Sequence, residues 1–353
     1  MRNTTPVTLK KIAHLAGVDI SVVSRVLNGK ADQYRISQQC QEKVKKVAAE
    51  LGYIPNAYAV GMKTGEFHCV ALLQSGVAGK SYLPEKLLNE IHRNLEKGDM
   101  HLLLANIPEQ VTCDQDIPKI FRSLMADGLI MNYYQDLPPR IKKVIENTSM
   151  PIVWMNDKMQ YDSVYPDSFS AAQKATEYLI KLGHKRISYC NVYFNDLKAD
   201  AHYSVSERRG GYACAMKNAS LEVLDITPHY KVDDSMEKQT QLFRSVLEKK
   251  DRPTAMLFYW SNSIPALLLT ASSMNLRIPE DLSIITFAGE THQRMGLPAT
   301  AMLEPETEMA RETVAMLTKK MQTGQQNTPS VRLDYHFLDM KTCARVPESS
   351  RKG

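Results

Sequence analysis

The most constraining feature of the sequence is a regular alternation of short apolar runs with segments of helical periodicity across residues 67–345. Strands that alternate with helices in this way form parallel sheets covered by helices. The alternating stretch is roughly twice as long as one doubly wound unit, so we predict an α/β body with parallel sheets. The predicted strands are 69–74, 100–106, 127–132, 151–156, 186–192, 254–260 and 282–288, and the predicted helices include 84–97, 168–182, 207–217 and 304–322.

The beginning of the chain differs from this body in charge. The 353 residues carry a formal net charge of +5. Residues 1–65 contain ten Lys and Arg against four Asp and Glu, a net charge of +6, so the remaining residues carry −1. Such a concentration of positive charge favours a polyanion-binding module joined to a near-neutral body.

Capping residues and periodicity predict three short helices within this basic module. Thr8 can cap the first helix, and Gly17 then permits a tight turn. Asp19 can cap the second helix and Ser37 the third, which Gly52 ends. Three short helices with a glycine turn between the first two are typical of a helix-turn-helix unit. A small helical bundle that binds protein is the alternative, which the local positive charge disfavours.

The second predicted helix has two unlike faces. One is an apolar stripe of Val23, Val26 and Leu27, as packing against a core requires. The opposite face carries polar and apolar side chains together, namely Ile20, Ser21, Ser24 and Arg25. Arginine can donate two hydrogen bonds to guanine, and isoleucine can contact a thymine methyl group. This face is therefore a candidate for contact with DNA.

The segment after the third helix, YIPNAYAVGMKTGE (53–66), is too apolar for a free linker. Pro55 and Asn56 can begin a short helix, but Gly61 and a length of two turns make that helix unstable in isolation. We therefore expect the segment to become ordered only against a partner surface.

Residues 7–65 resemble the DNA-binding headpiece and hinge of the LacI/GalR family of bacterial transcription regulators. The resemblance runs without a gap and rests on the motifs A-G-V, V-S-R-V-L-N-G and L-G-Y-x-P-N-A. It implies that Ile20, Ser21 and Arg25 read base edges in the major groove, and that Thr8, Ser24 and Asn28 touch phosphates. Met62 occupies the position of a wedge in the minor groove, or else packs against its dimer mate. The remaining DNA-binding residues implied are Asp19, Asn56 and Tyr58.

The body resembles the periplasmic-binding-protein-like (type I) effector domain of the same family, more loosely. The residues that carry the resemblance are ATEYLIKLGHKRISYCN (175–191), ERRGGYACAM (207–216) and NLRIPEDLSIITFAGE (275–290). In that family two interleaved α/β subdomains enclose a small molecule in a cleft. The resemblance implies that the chain leaves the first subdomain near residue 165 and returns to it late.

The resemblance also implies a set of effector-binding residues, and several depart from the family pattern. Arg208, in R-x-x-G-Y, matches an arginine that clamps effector hydroxyls or carboxylates; an ion pair at the surface or between subdomains is the alternative. Trp260 and Ser261 replace an Asn-Asp pair, and Ala288 replaces an acid. Trp260 can either stack on a ligand ring or plug the cleft. The other effector-binding residues we expect are Tyr82, Asp167 and Phe169.

Several function classes lack support in the sequence. No P-loop, G-x-S-x-G, H-E-x-x-H or dinucleotide-binding motif is present, so we do not expect an enzyme. The six cysteines show no paired spacing, and we expect reduced thiols, no metal site and no cofactor. No run of eighteen apolar residues is present and no signal peptide is recognisable. We expect a cytoplasmic protein without a membrane span.

The sequence thus predicts an all-α helix-turn-helix headpiece with a hinge helix, followed by the two-subdomain α/β body. We expect a headpiece over 1–54, a hinge over 55–66, an effector-binding and dimerisation domain over 67–345, and a flexible tail over 346–353. The expected function is repression of transcription by a homodimer on a pseudo-palindromic DNA operator, controlled by a carbohydrate-like small molecule through allosteric coupling. The alternative is a regulator of the same fold, with a degenerate or plugged cleft, that a partner protein controls.

Overall fold

The computed structural model describes residues 7–54, 61, 64–76, 80–122, 125–134, 137–192, 201–226, 235–289 and 299–346. The chain divides into two compact units, residues 1–67 and residues 68–353. Within the described residues, no helix is both long and apolar enough to cross a membrane.

The first unit contains the three predicted helices, α1 (Leu9–Ala16), α2 (Ile20–Leu27) and α3 (Gln38–Glu50). Each predicted cap is confirmed: the side chains of Thr8, Asp19 and Ser37 accept hydrogen bonds from backbone N–H groups of the first turn. Gly17 has a φ of 66°, the left-handed conformation that the turn after α1 requires. The three helices pack around one small core, formed by Ile12, Ala13, Ala16, Val23, Val26, Ala31, Val44 and Ala48.

The second unit contains two sheets of six strands each. The first sheet has the order β11-β5-β4-β3-β1-β2, with all neighbours parallel. Its strands are β1 (Cys69–Ser75), β2 (His101–Ile107), β3 (Gly128–Asn132), β4 (Ile152–Met155), β5 (Ser163–Pro166) and β11 (Val331–Leu333). Its helices are α4 (Glu85–Glu96), α5 (Lys119–Arg122), α6 (Pro139–Asn147) and α11 (Glu306–Thr323).

The second sheet has the order β12-β10-β9-β8-β6-β7 and is parallel except for β12, which pairs antiparallel with β10. Its strands are β6 (Ile187–Cys190), β7 (Leu224–Asp225), β8 (Ala255–Phe258), β9 (Ser283–Ala288), β10 (Thr300–Leu303) and β12 (His336–Leu338). Its helices are α7 (Ser168–Lys181), α8 (Tyr203–Asn218), α9 (Met236–Leu247) and α10 (Ile264–Ser273).

Each sheet with its helices forms one subdomain, and the chain passes between the two subdomains at three places in the described residues. It leaves the first sheet after β5, returns between β10 and α11, and crosses again between β11 and β12. The predicted departure near residue 165 and the late return are therefore confirmed. Residues on these connecting segments can contact both subdomains.

All seven predicted strands are present, because each lies in a run of mainly apolar residues between helices. The five additional strands, β5, β7, β10, β11 and β12, have between two and four residues and lie outside the predicted strands. Helix α8 begins at Tyr203, four residues before the predicted start at 207. The predicted start is too late because apolar residues in the first turn of α8 show no clear helical spacing.

Candidate functional site

The outer face of α2 has the mixed character expected from the sequence. Val23 and Val26 are buried in the headpiece core, whereas Ile20 is 45% exposed. Ser21 is exposed and Arg25 half-buried on the same face. A single exposed isoleucine is common at protein surfaces, but here it stands beside an arginine on the helix that follows the glycine turn. The face can therefore offer a methyl contact and a bidentate donor together.

The polar residues around α2 have contacts that fix the helix. The Asp19 carboxylate accepts a hydrogen bond of 2.8 Å from the Ser21 backbone N–H, and the hydrogen bonds from Ser21 lower the pKa of Asp19. The Asn28 amide donates to the Ser24 hydroxyl at 3.2 Å. Asp19 thus has a capping role in the structure, and its contact with DNA stays a prediction.

The predicted hinge contacts Asn56, Tyr58 and Met62 lie outside the described residues. Gly61 is described, and a Cβ atom added to it would lie 2.6 Å from a ring carbon of Phe67. The close approach of this ring explains a glycine in a segment that otherwise favours helix formers.

Arg208 lies on α8, beside the segments that connect the two subdomains, and is almost fully buried, with 2% exposure. Its Nη2 donates to Glu304 Oε1 at 2.9 Å and to the Tyr335 hydroxyl at 2.8 Å, and its Nη1 donates to the Tyr259 carbonyl at 2.8 Å. Burial raises the pKa of Glu304, and the guanidinium opposes this shift. The structure therefore places Arg208 in a buried ion pair, and its contact with a ligand stays a prediction.

Aromatic rings surround this ion pair. The Arg208 Cζ atom lies 4.2 Å from the ring centroid of Phe287 and 5.4 Å from that of Trp260. Tyr259 and Tyr335 are also within cation–π distance. Apolar rings exclude water from the pair, which strengthens the attraction between its charges.

Tyr82 and Trp260 bridge the cleft. Tyr82 follows β1 in the first subdomain, Trp260 follows β8 in the second, and their ring centroids are 5.4 Å apart in an edge-to-face arrangement. The Tyr82 hydroxyl donates to Glu306 Oε1 at 3.4 Å. A Cβ atom added to Gly289 would lie 2.3 Å from this hydroxyl, so a larger residue there would displace the Tyr82 hydroxyl. The two rings thus meet between the subdomains, and binding of an effector by Tyr82, Trp260 or both stays a prediction.

A second bridge joins His202 and Tyr203 to the ends of β3 and β4. The His202 ring contacts the Tyr134 ring at a centroid distance of 4.5 Å. Its Nε2 lies 2.8 Å from the Asn156 carbonyl oxygen and its Nδ1 lies 2.8 Å from the Ser204 hydroxyl. Since a carbonyl only accepts, Nε2 carries the proton and Nδ1 accepts from Ser204. Burial lowers the pKa of His202 to about 4, which keeps the ring neutral near pH 7.

The other predicted effector residues have contacts within the fold. The Asp167 carboxylate caps α7 through Ser170 and pairs with Arg332 at 3.3 Å. Phe169 packs where α7 crosses α8, and Ser261 is buried in the turn after Trp260. The neighbour of Asp167, Ser168, lies 3.1 Å from the Tyr335 hydroxyl and so reaches the Arg208 cluster. Binding of an effector by Asp167, Phe169 and Ser261 stays a prediction.

Three buried acceptor oxygens near Tyr82 have no hydrogen-bond donor among the described residues: Asn132 Oδ1, Glu304 Oε2 and Glu306 Oε2. Burial, together with the charge of Glu304, raises the pKa of Glu306 to about 7. A buried acceptor without a donor costs free energy of folding. A bound molecule that donates hydrogen bonds from hydroxyl or ammonium groups would therefore gain most binding free energy at these atoms.

Sequence reasoning missed Glu304 and Glu306, although the chain carries a signal for them. The stretch AMLEPE places a glutamate directly after an apolar strand-like run, and a carboxylate at such a position needs a buried partner. His202, Tyr134 and Tyr335 carry no comparable signal, since each is a single residue in an irregular segment.

Comparison with known proteins gives two family matches. Residues 8–56 match a family described as bacterial regulatory proteins, lacI family. Residues 176–339 match a family described as periplasmic binding protein-like domain. The chain is 28% identical over 336 residues to the catabolite repressor/activator of Escherichia coli, with 92% of this chain and 95% of that protein covered. It is 26% identical over 336 residues to the ribose operon repressor of Haemophilus influenzae, covering 93% and 96% respectively.

Solved structures agree with the fold. The Lac repressor dimer bound to operator and an anti-inducer superposes with a TM-score of 0.76 at 20% identity, covering 96% of this chain and all of that one. A LacI family regulator from Enterococcus faecium with bound ribose gives a TM-score of 0.62 at 17% identity, covering 79% of this chain and 100% of that one.

Proposed function

Because the chain belongs to the lacI family of bacterial regulatory proteins, we propose that it is a sequence-specific repressor of transcription. The observation that carries the proposal is the exposed face of α2, with Ile20, Ser21 and Arg25, in a basic helix-turn-helix unit. The protein acts as a homodimer in the cytoplasm, where its DNA lies. It uses its α/β body to bind a ligand and not to catalyse a reaction.

On DNA, α2 enters the major groove with its outer face toward the bases. Ile20 contacts a thymine methyl group, and Arg25 donates two hydrogen bonds to a guanine. Thr8, Ser24 and Asn28 touch phosphates, and the 55–66 hinge inserts Met62 at the centre of the operator. Two headpieces in one dimer read two half-sites, which is why the operator is pseudo-palindromic.

Replacing Arg25 by alanine is the direct test of base reading. Binding to an operator selected from random duplexes is expected to weaken by about 1–3 kcal/mol, with relaxed preference at one base pair per half-site. The measurement is a titration against the selected operator and single-substitution duplexes at constant salt.

The matched control is Lys46→Ala, which removes one positive charge from the exposed side of α3. It is expected to weaken all duplexes slightly and equally, because only long-range attraction to phosphates is lost. If Arg25→Ala behaves like this control, Arg25 is a phosphate contact and reads no base.

The cleft binds a hydroxyl-rich, uncharged small molecule of the carbohydrate class. Arg208 is already neutralised by Glu304, so an anionic ligand gains little there. The unpaired oxygens of Asn132, Glu304 and Glu306 instead require donors, and sugar hydroxyls supply them. The Trp260 and Tyr82 rings, which meet between the subdomains, supply apolar surface for a sugar ring. The similarity to a ribose operon repressor supports the same ligand class.

A thermal-shift screen of the full chain tests the ligand class. Neutral sugars are expected to raise the melting temperature saturably, whereas their matched sugar acids and phosphates are expected to act more weakly. A ligand at about 100 times its Kd stabilises the folded state by about 2.7 kcal/mol. Preference for the acids contradicts the proposed class, and a screen with no stabilising compound contradicts control by a small molecule.

A further inference from the structure

The turn between α2 and α3 brings an aromatic ring to the arginine of the DNA-binding face. It contains a 3₁₀ turn, Asp32–Tyr34, and the ring of Tyr34 lies against Arg25. The Arg25 Cζ atom is 3.9 Å from the ring centroid, within the range of a stacked cation–π contact. Tyr34 remains 52% exposed, so the pair lies at the surface and not in the headpiece core.

This ring is held in place from α3. The Gln41 side-chain amide donates to Asp32 Oδ1 at 3.1 Å and to the Ile36 carbonyl at 3.0 Å. Ala31 is buried in the headpiece core, and the Ile36 N–H donates to the Ala31 carbonyl at 3.1 Å. Both ends of the turn are therefore anchored, and Tyr34 projects from a fixed backbone.

The stacking leaves the hydrogen-bonding capacity of Arg25 intact. A ring contacts the face of a guanidinium, whereas the N–H donors lie along its edge. The same edge is what reads guanine O6 and N7. An unstacked arginine has many rotamers, so its ordering on binding to DNA costs conformational entropy. A ring beneath the guanidinium removes part of that cost before DNA arrives.

We infer that Tyr34 is a specificity-determining positioning residue, which holds the Arg25 guanidinium by stacking in the orientation that reads a base. The inference rests on the proposed function, since it assigns Tyr34 a role in the recognition of DNA. It adds a residue outside α2, in the turn between α2 and α3, to the determinants of base preference.

The test compares Tyr34→Leu, which removes the ring, with Tyr34→Phe, which keeps the ring and removes only the hydroxyl. Each full-length variant is titrated with the selected operator and with the duplex altered at the base pair that Arg25 reads. Discrimination between the two duplexes is expected to fall about two- to five-fold in Tyr34→Leu and to stay unchanged in Tyr34→Phe. In an Arg25→Ala background, Tyr34→Leu is expected to change discrimination no further.

A measurement without DNA separates this inference from the proposed function. Ring currents should shift the Arg25 Cδ protons upfield in the wild type and in Tyr34→Phe, and this shift should vanish in Tyr34→Leu.

Normal discrimination between the two duplexes by Tyr34→Leu overturns the inference. An equal loss of discrimination in Tyr34→Phe also overturns it, because that result indicates a contact through the hydroxyl. Absence of the shift in the wild type also overturns it. A wild type that shows the shift but selects no duplex refutes the proposed function, and the inference falls with it.

Discussion

Alanine in place of Arg208 is expected to destabilise the α/β unit by about 3–5 kcal/mol, because it leaves the Glu304 carboxylate buried without its partner. Arg208 and Glu304 have side-chain exposures of 2% and 5%. The substitution also removes the hydrogen bonds that Arg208 donates to the Tyr335 hydroxyl and to the Tyr259 carbonyl. The measurement is chemical denaturation of the full chain, with unfolding monitored through a spectroscopic signal of the larger unit.

The neighbouring residue supplies the matched control. Arg209 is half-exposed and pairs with Asp225 at the surface, so Arg209→Ala should cost at most about 1 kcal/mol. Adding Glu304→Gln to Arg208→Ala should restore part of the lost stability, because it removes the unpaired charge. An Arg208→Ala protein of normal stability that only fails to respond to ligand would show that Arg208 is a ligand clamp, and would contradict the ion-pair interpretation.

Gly211→Ala is expected to destabilise the same unit by about 3 kcal/mol through overpacking. An alanine Cβ at this position would lie 2.1 Å from the Phe169 carbonyl oxygen and 3.0 Å from the Gln173 nitrogen. Both atoms belong to the α7 backbone, which cannot rotate away as a side chain can. Helices α7 and α8 therefore have to move apart. Since α8 carries Arg208, the buried ion pair is disturbed as well.

The preceding glycine gives an internal control in the same helix. A Cβ on Gly210 would meet only Phe169 ring carbons at 3.4 and 3.5 Å, an ordinary contact. Alanine is also a better helix former than glycine by up to about 1 kcal/mol. Gly210→Ala should thus leave the midpoint of denaturation unchanged or raise it. Equal destabilisation by both variants would contradict the steric explanation, since it would point to helix geometry in general.

Much of this architecture could be predicted because its causes are local. The caps Thr8, Asp19 and Ser37 act on backbone groups two or three residues away, and such patterns are visible in the sequence. The seven predicted strands are mainly apolar runs between helices, which indicates a parallel α/β body. By contrast, β5 and β11 were not predicted, because Pro166 and Arg332 interrupt their apolar pattern.

The candidate site was predictable only in part. Tyr82 and Trp260 were expected at the cleft and their rings meet between the subdomains, but the buried partner of Arg208 was not foreseen. Asp167 was expected to face a ligand, whereas its carboxylate caps α7 and pairs with Arg332. A motif identifies a position in a family, but the contacts of a side chain depend on which residues surround it in this chain.

By itself, the sequence determined a basic three-helix headpiece with an arginine and an isoleucine on one face, and an α/β body of two sheets, because capping and periodicity act over a few residues. Only the tertiary structure decided which distant side chains meet. It paired Arg208 with Glu304, 96 residues away, brought Tyr82 against Trp260 across the cleft, and placed Tyr34 beneath Arg25. Such contacts depend on chain crossings and turn geometry, which no local pattern encodes.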